Sequence, residues 1–139
     1  MSVEENKALA RKWVQGFQSS DPANLASLVS ANFVDHTPPP GVPANIDGIK
    51  IQHGWYHTAF PDIHFTVENV LADGDMAVAT WMATGTHTGP LQNFPASHKT
   101  ATVVGANLFR VANGKITEAW VYFDQLGMLL QLGLLPPPG

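Results

Sequence analysis

Two kinds of side chain in this sequence could move a proton in a confined site: a carboxylate at a strand end, Asp124, and some of the six histidines. Asp124 follows the run Trp120-Val121-Tyr122-Phe123. A carboxyl set beside those rings is desolvated, and a desolvated carboxyl can both take and return a proton at neutral pH. The same position also suits an N-cap for a helix starting near Gln125, so residue type alone leaves both roles open. His36 and His87 each stand where a strand stops, in Asp35-His36 and in Thr86-His87-Thr88-Gly89. Strand ends form the rim of a cavity, so either could touch a ligand; either could equally hold its own loop by hydrogen bonds. His53 and His57 are four apart on a predicted helix, the spacing that aligns two zinc ligands. Gly54 stands where that motif needs a glutamate, and no third ligand has a fixed spacing, so no metal is expected. His64 and His98 are expected on the surface. There is no cysteine, which excludes thiol catalysis, thiolate sites and disulfides.

The elements that must position these groups change period partway along the chain. Ser2 and Glu5 fit a capping box, and Ala8, Leu9, Trp13, Val14 and Phe17 recur at helical steps. Asp21-Pro22 starts a second short helix reaching about Val29. Phe33–His36 reads as an extended piece, and the prolines between Thr37 and Gly41 make 37–44 a loop. A third helix runs from about Ile46 to Phe60, with Ile49, His53, Tyr56 and Phe60 on one face. Four strands follow: Ile63–Ala72, Met76–Thr88, Thr100–Val111 and Lys115–Phe123. Asp73-Gly74-Asp75 and Asn113-Gly114 are hairpin turns by composition. Leu126–Leu132 forms a short closing helix, and the tail from Pro136 to Gly139 is expected to fray. Helices followed by antiparallel strands give an α+β domain spanning residues 1–139. Long twisted strands must curl, so the expected architecture is a conical barrel: a curved, mainly antiparallel sheet wrapped around three N-terminal helices. Its interior is the natural ligand site.

The Asn113-Gly114 hairpin fixes a register if no bulge intervenes. Ala112 then pairs with Lys115, Asn107 with Trp120, Gly105 with Tyr122 and Val103 with Asp124. Trp120, Tyr122 and Asp124 would share the inner face with Val103, Asn107 and Phe109, and Arg110 and Thr117 the other. A single bulge would put Asn107 and Trp120 on opposite faces. Asn107, Trp120 and Tyr122 from this register, together with His87, Trp13, Phe17, Trp55 and His53, are the candidate substrate contacts.

Composition narrows the function classes. The chain has 139 residues, 45% hydrophobic and 13% charged, and a net charge of −4. A domain of this size buries roughly two thirds of its unfolded surface. Without a basic patch, nucleic acid and anionic membranes are poor partners. The polar start of the chain has no signal-like run, and no stretch approaches the ~20 apolar residues of a membrane helix. A cytoplasmic protein acting on something small is expected.

At this point the residues resemble a known family, the SnoaL-like polyketide cyclases, often labelled ester cyclases, of the nuclear transport factor two-like superfamily. The matching stretches are Phe33-Val34-Asp35-His36 with the prolines behind it, Ala59-Phe60-Pro61-Asp62, Leu71-Ala72-Asp73-Gly74-Asp75 and Thr84-Gly85-Thr86-His87-Thr88-Gly89. Phe109-Arg110, Gly114-Lys115-Ile116, Glu118, Trp120, Asp124, Leu126-Gly127 and Gln131-Leu132-Gly133 complete the order over roughly residues 5 to 134. The resemblance implies a homo-oligomer, dimer or tetramer, that works without cofactor or metal on a small hydrophobic ester or ketone. It implies a lyase or cyclase closing a ring by an intramolecular aldol step, with Asp124 as the general acid/base and His36 assisting. The scaffold also hosts isomerases, epoxide hydrolases with an Asp–Arg–Asp water site, and plain binders. Ala96-Ser97-His98-Lys99 departs from the Pro-Thr-Gly-Lys turn common in the family. The leucine-rich end, from Leu126 to Leu135, exposes apolar surface that a second copy could cover.

Overall fold

Ser2 opens the first helix by a reciprocal cap. Its Oγ accepts the Glu5 amide at 3.0 Å and donates to Glu5 Oε1 at 3.2 Å. In this computed structural model, which describes residues 2–136, α1 runs Val3–Gln18 and buries Ala10, Trp13 and Val14. Most of the expected frayed tail, 137–139, lies outside the described residues. The second helix, α2, is only Ala23–Ala26, because Val29 already begins β1 (Val29–Asp35). Pairing along β5 competes with helix here, and the β-branched Val29 suits the strand. Asn45 caps α3 (Ile46–Ala59) by accepting the Gly48 amide at 3.2 Å, and Pro61 follows its end. Four strands come next: β2 (His64–Asp73), β3 (Met76–Thr86), β4 (Thr100–Ala112) and β5 (Lys115–Phe123). Helix α4 (Gln125–Gln131) closes the described chain.

The five strands make one sheet in the order β1-β5-β4-β3-β2. β1 runs parallel to β5, and the other pairs are antiparallel. The curved sheet stays open, forming the α+β cone expected. Its inner face is built largely of small residues, Ala77, Ala79, Ala83 and Ala101, so the buried rings of Trp13, Trp81 and Phe109 fit beneath the helices. Among the described residues no helix is long and apolar enough to cross a membrane.

One residue overturns the bulge-free register. Val111 pairs with Ile116, but Arg110 pairs with Glu118, leaving Thr117 as an extra residue in β5. The Thr117 hydroxyl donates to the Arg110 carbonyl at 3.2 Å, which occupies part of the interrupted ladder. Beyond this bulge Asn107 faces Val121, not Trp120, and Leu108 faces Trp120. Trp120 and Tyr122 therefore lie on the outer face with Glu118 and Arg110, while Ala119, Val121 and Phe123 turn inward. Arg110 was expected on the face opposite Asp124 and the aromatic pair; it shares the side of Trp120 and Tyr122, and Asp124 lies past the end of β5. Deleting Thr117 would restore the flush register and drive Trp120 and Tyr122 into a filled core. The expected result is a loss of at least ~3 kcal/mol of stability, on the scale of emptying or overfilling a large aromatic site. Urea unfolding followed by circular dichroism measures it, and an unchanged midpoint would mean the bulge does not set the register.

Candidate functional site

The cone encloses a cavity of about 100 Å³ between α1, α3 and the inner sheet face. Five of its lining rings form a closed circuit. Centroid distances run Tyr56 to Phe17 6.4 Å, Phe17 to Phe65 5.7 Å, Phe65 to Trp81 5.3 Å, Trp81 to Phe123 6.5 Å and Phe123 back to Tyr56 6.3 Å. Gly105 makes this circuit possible. A Cβ there would stand 2.5 Å from Trp81 Cζ2 and 2.8 Å from Phe123 Cβ, so only glycine lets the indole lie across β4.

The polar groups of the lining are neutral. Asn107, 5% exposed, accepts the Trp81 indole N–H on Oδ1 at 2.6 Å. Gln52 donates weakly, at 3.4 Å, to the Gly48 carbonyl. The Tyr56 hydroxyl has no hydrogen-bond partner among the described residues, and burial pushes its pKa up to about 12. Among the described residues no carboxylate, histidine, lysine or arginine lines the cavity. An arrangement of this kind binds a compact neutral molecule and offers hydrogen bonds to it.

Three of the sequence candidates, Trp13, Phe17 and Asn107, lie in this wall; the others do not. Trp120 packs outside the sheet, stacked on His36 at 4.6 Å with 15° between the rings, and Tyr122 beside it is 58% exposed. Trp55 is half-buried and contributes nothing to the lining. His36 donates to Glu118 Oε1 at 2.8 Å, and Arg110 bridges Glu118 Oε2 at 2.7 Å and Asp75 Oδ2 at 3.0 Å. The His36 hydrogen bond, helped by the nearby guanidinium, holds the Glu118 carboxyl below its usual range. This carboxylate–arginine–carboxylate group sits on the outer surface, away from the cavity where a water-activating trio would be needed. Asp124, expected beside buried rings, is exposed and is the N-cap of α4: its Oδ1 accepts the Gly127 amide at 2.9 Å.

Three of the remaining histidines, His53, His57 and His87, bond backbone. α1 has no basic residue in its last turn, and α3 supplies the missing donors. His53 Nε2 donates to the Ser19 carbonyl at 2.6 Å and His57 Nε2 to the Phe17 carbonyl at 2.7 Å, with the two rings stacked 4.0 Å apart. His87 is fully buried. Its Nδ1 accepts the Ser97 amide at 3.1 Å, so Nε2 carries the proton, and that N–H has no partner. His64 and His98 are exposed. His98 takes φ 60°, a left-handed turn conformation that glycine adopts more readily. Among the described residues no three histidines or carboxylates gather into a metal site.

The sequence profile of SnoaL-like polyketide cyclases matches residues 7–132. The chain belongs to that family. Similar solved structures carry the same cone. A candidate polyketide cyclase from Bacillus cereus ATCC 10987 is 30% identical, with a TM-score of 0.84 over 95% of this chain and 83% of that one. Wild-type IdmH, a candidate polyketide cyclase from Streptomyces antibioticus, is 28% identical, with a TM-score of 0.80 over 92% of this chain and 98% of its own. A protein of ketosteroid isomerase-like fold from Catenulispora acidiphila DSM 44928, in complex with trimethylamine, is 21% identical with a TM-score of 0.72, covering 92% and 93%. Among curated proteins, none matches the sequence. The SnoaL-like fold thus places the cavity, but the wall's most distinctive residues escaped the sequence reading. Trp81 stands alone among Ala77, Ala79 and Ala83 on one face of β3, and a single large ring on an alanine face marks a cavity wall.

Burial lowers the pKa of His53, with its neighbour His57 adding to the fall, and burial likewise lowers that of His87, with His98 adding. Both therefore fold in the neutral form. The unfolded chain binds their protons from about pH 6.5 downwards, so this stability is complete above that pH and lost as pH falls through the folded values. Unfolding free energy should decline from pH 7 to 5, and His53→Gln should flatten the decline. A profile with the opposite slope would contradict neutral burial.

Proposed function

We propose that the protein is a cofactor-independent cyclase- or isomerase-type enzyme acting on a compact neutral ketone or ester held in the cone. The observation that carries this reading is the aromatic cavity itself, which contains hydrogen-bond donors and no ionised side chain. Such a wall accepts an uncharged carbonyl compound and stabilises an oxyanion formed from it. Its small volume favours one ring over several, since sites for drug-sized ligands span roughly 300–1,000 Å³. Family membership supports carbon–carbon ring closure as the reaction, and in this reading Asp124, the position the sequence resemblance points to, serves as its acid/base. Asp124 follows Phe123, a member of the cavity wall, and only its Oδ1 is engaged by the cap.

A second reading, binding without turnover, draws on the absence of any base in the wall and on the capping bond of Asp124. Asp124→Asn separates the two, because asparagine caps a helix as well as aspartate does and leaves the fold intact. Under the enzyme reading, exchange of the α-protons of a bound β-keto ester into deuterated water should slow by about 10²-fold or more in the variant. Equal exchange in both proteins would leave the binding reading standing.

The active form in this proposal is a homodimer formed through the outer sheet face. Leu71, Val78, Leu108 and Trp120 lie in one row across four strands; Leu71 is exposed, as are Val104, Tyr122 and Leu126. Light scattering should give twice the 15.0 kDa chain mass, and Tyr122→Glu should return it to one chain. A wild-type mass of one chain would refute the dimer.

A further inference from the structure

We infer that the cavity selects ligands bearing a hydrogen-bond-accepting oxygen, a carbonyl or the enolate derived from it, and that Trp81 is the positioning residue that imposes the choice. This deepens the proposed function and rests on the cavity being the ligand site.

The polarity of the Asn107 amide is not free. An indole N–H donates and never accepts, so the group 2.6 Å from Trp81 Nε1 must be the amide oxygen. Turning the amide over would set N–H against N–H. The Asn107 nitrogen, with two N–H bonds, is therefore fixed on the other side, where it has no acceptor among the described residues. Tyr56 adds a second donor from the opposite wall: its hydroxyl is unpartnered, and with its pKa near 12 it stays protonated at any physiological pH. Gln52 imposes nothing, since its weak 3.4 Å bond lets either edge of its amide turn inward. The cavity therefore presents the Asn107 and Tyr56 donors in an uncharged, mostly apolar enclosure whose other polar side chains are Gln52 and Thr84. A hydrocarbon leaves both unpaired, whereas an acceptor oxygen can satisfy them and does so more strongly as it gains charge.

The test compares acetophenone with its shape-matched hydrocarbon, α-methylstyrene, by isothermal titration. The wild type should prefer the ketone by at least about tenfold. Tyr56→Phe, which removes only an oxygen, and Asn107→Leu should each cut that preference several-fold while hydrocarbon affinity holds within about twofold. Trp81→Phe leaves both donors in place but frees the amide, so it should also erode the preference for the ketone. Equal affinity for the two ligands in the wild type, or an undiminished preference in Trp81→Phe, overturns the inference and leaves the cavity as a ligand site. Binding of neither ligand overturns the cavity reading, and this inference with it.

Discussion

The extra residue at Thr117 decides which side chains the interior of this protein contains. Side chains alternate along a strand, so one inserted residue exchanges the two faces of everything beyond it. Here that exchange sends Ala119, Val121 and Phe123 inward and Glu118, Trp120 and Tyr122 outward. The consequences reach both sides of the sheet. Inside, Phe123 closes the aromatic circuit that begins at Tyr56. Outside, Trp120 becomes the platform on which His36 stacks, with Glu118 beside it to accept the imidazole hydrogen bond.

The inside has been kept free of charge. Alanines and glycines on β3 and β4 make room for Trp81, and the indole then uses its single polar atom to orient Asn107. In a low-dielectric enclosure an oriented amide and a protonated phenol act more strongly than they would in water, because nothing nearby screens them. Arg110, Asp75, Glu118 and His36, by contrast, satisfy one another on the outer surface. The division has a physical reason: an ionised group is costly to bury, whereas neutral donors are less so.

The helices are held over the cavity by their own polar ends. The C-terminal turn of α1 lies beside the cavity wall at Phe17, and its carbonyls are satisfied by His53 and His57 rather than by local residues. Burial disfavours the proton of His53, and the imidazole stacked on it at 4.0 Å adds to the effect. The same residues that suggested zinc by their spacing thus serve as a clamp between two helices.

The sequence by itself determined the order and type of the elements, the hairpins at Gly74 and Gly114, the capping box at Ser2, the α+β cone and the family. These are local matters: caps, turns and hydrophobic periods act within a few residues, and the family motifs arrive in order along the chain. It also named Trp13, Phe17 and Asn107 in the cavity wall. Only the tertiary structure decided the rest. The Thr117 bulge depends on how β5 meets both β1 and β4, and no turn signal marks it. Asp124 caps α4 because the strand ends just before it and the next residues turn into helix. Trp81 gained its meaning from Asn107, 26 residues away, through a hydrogen bond that only the pairing of β3 with β4 could bring about. Spacing along a chain reports which residues can share an element, but the partners that give a polar side chain its role come from other elements.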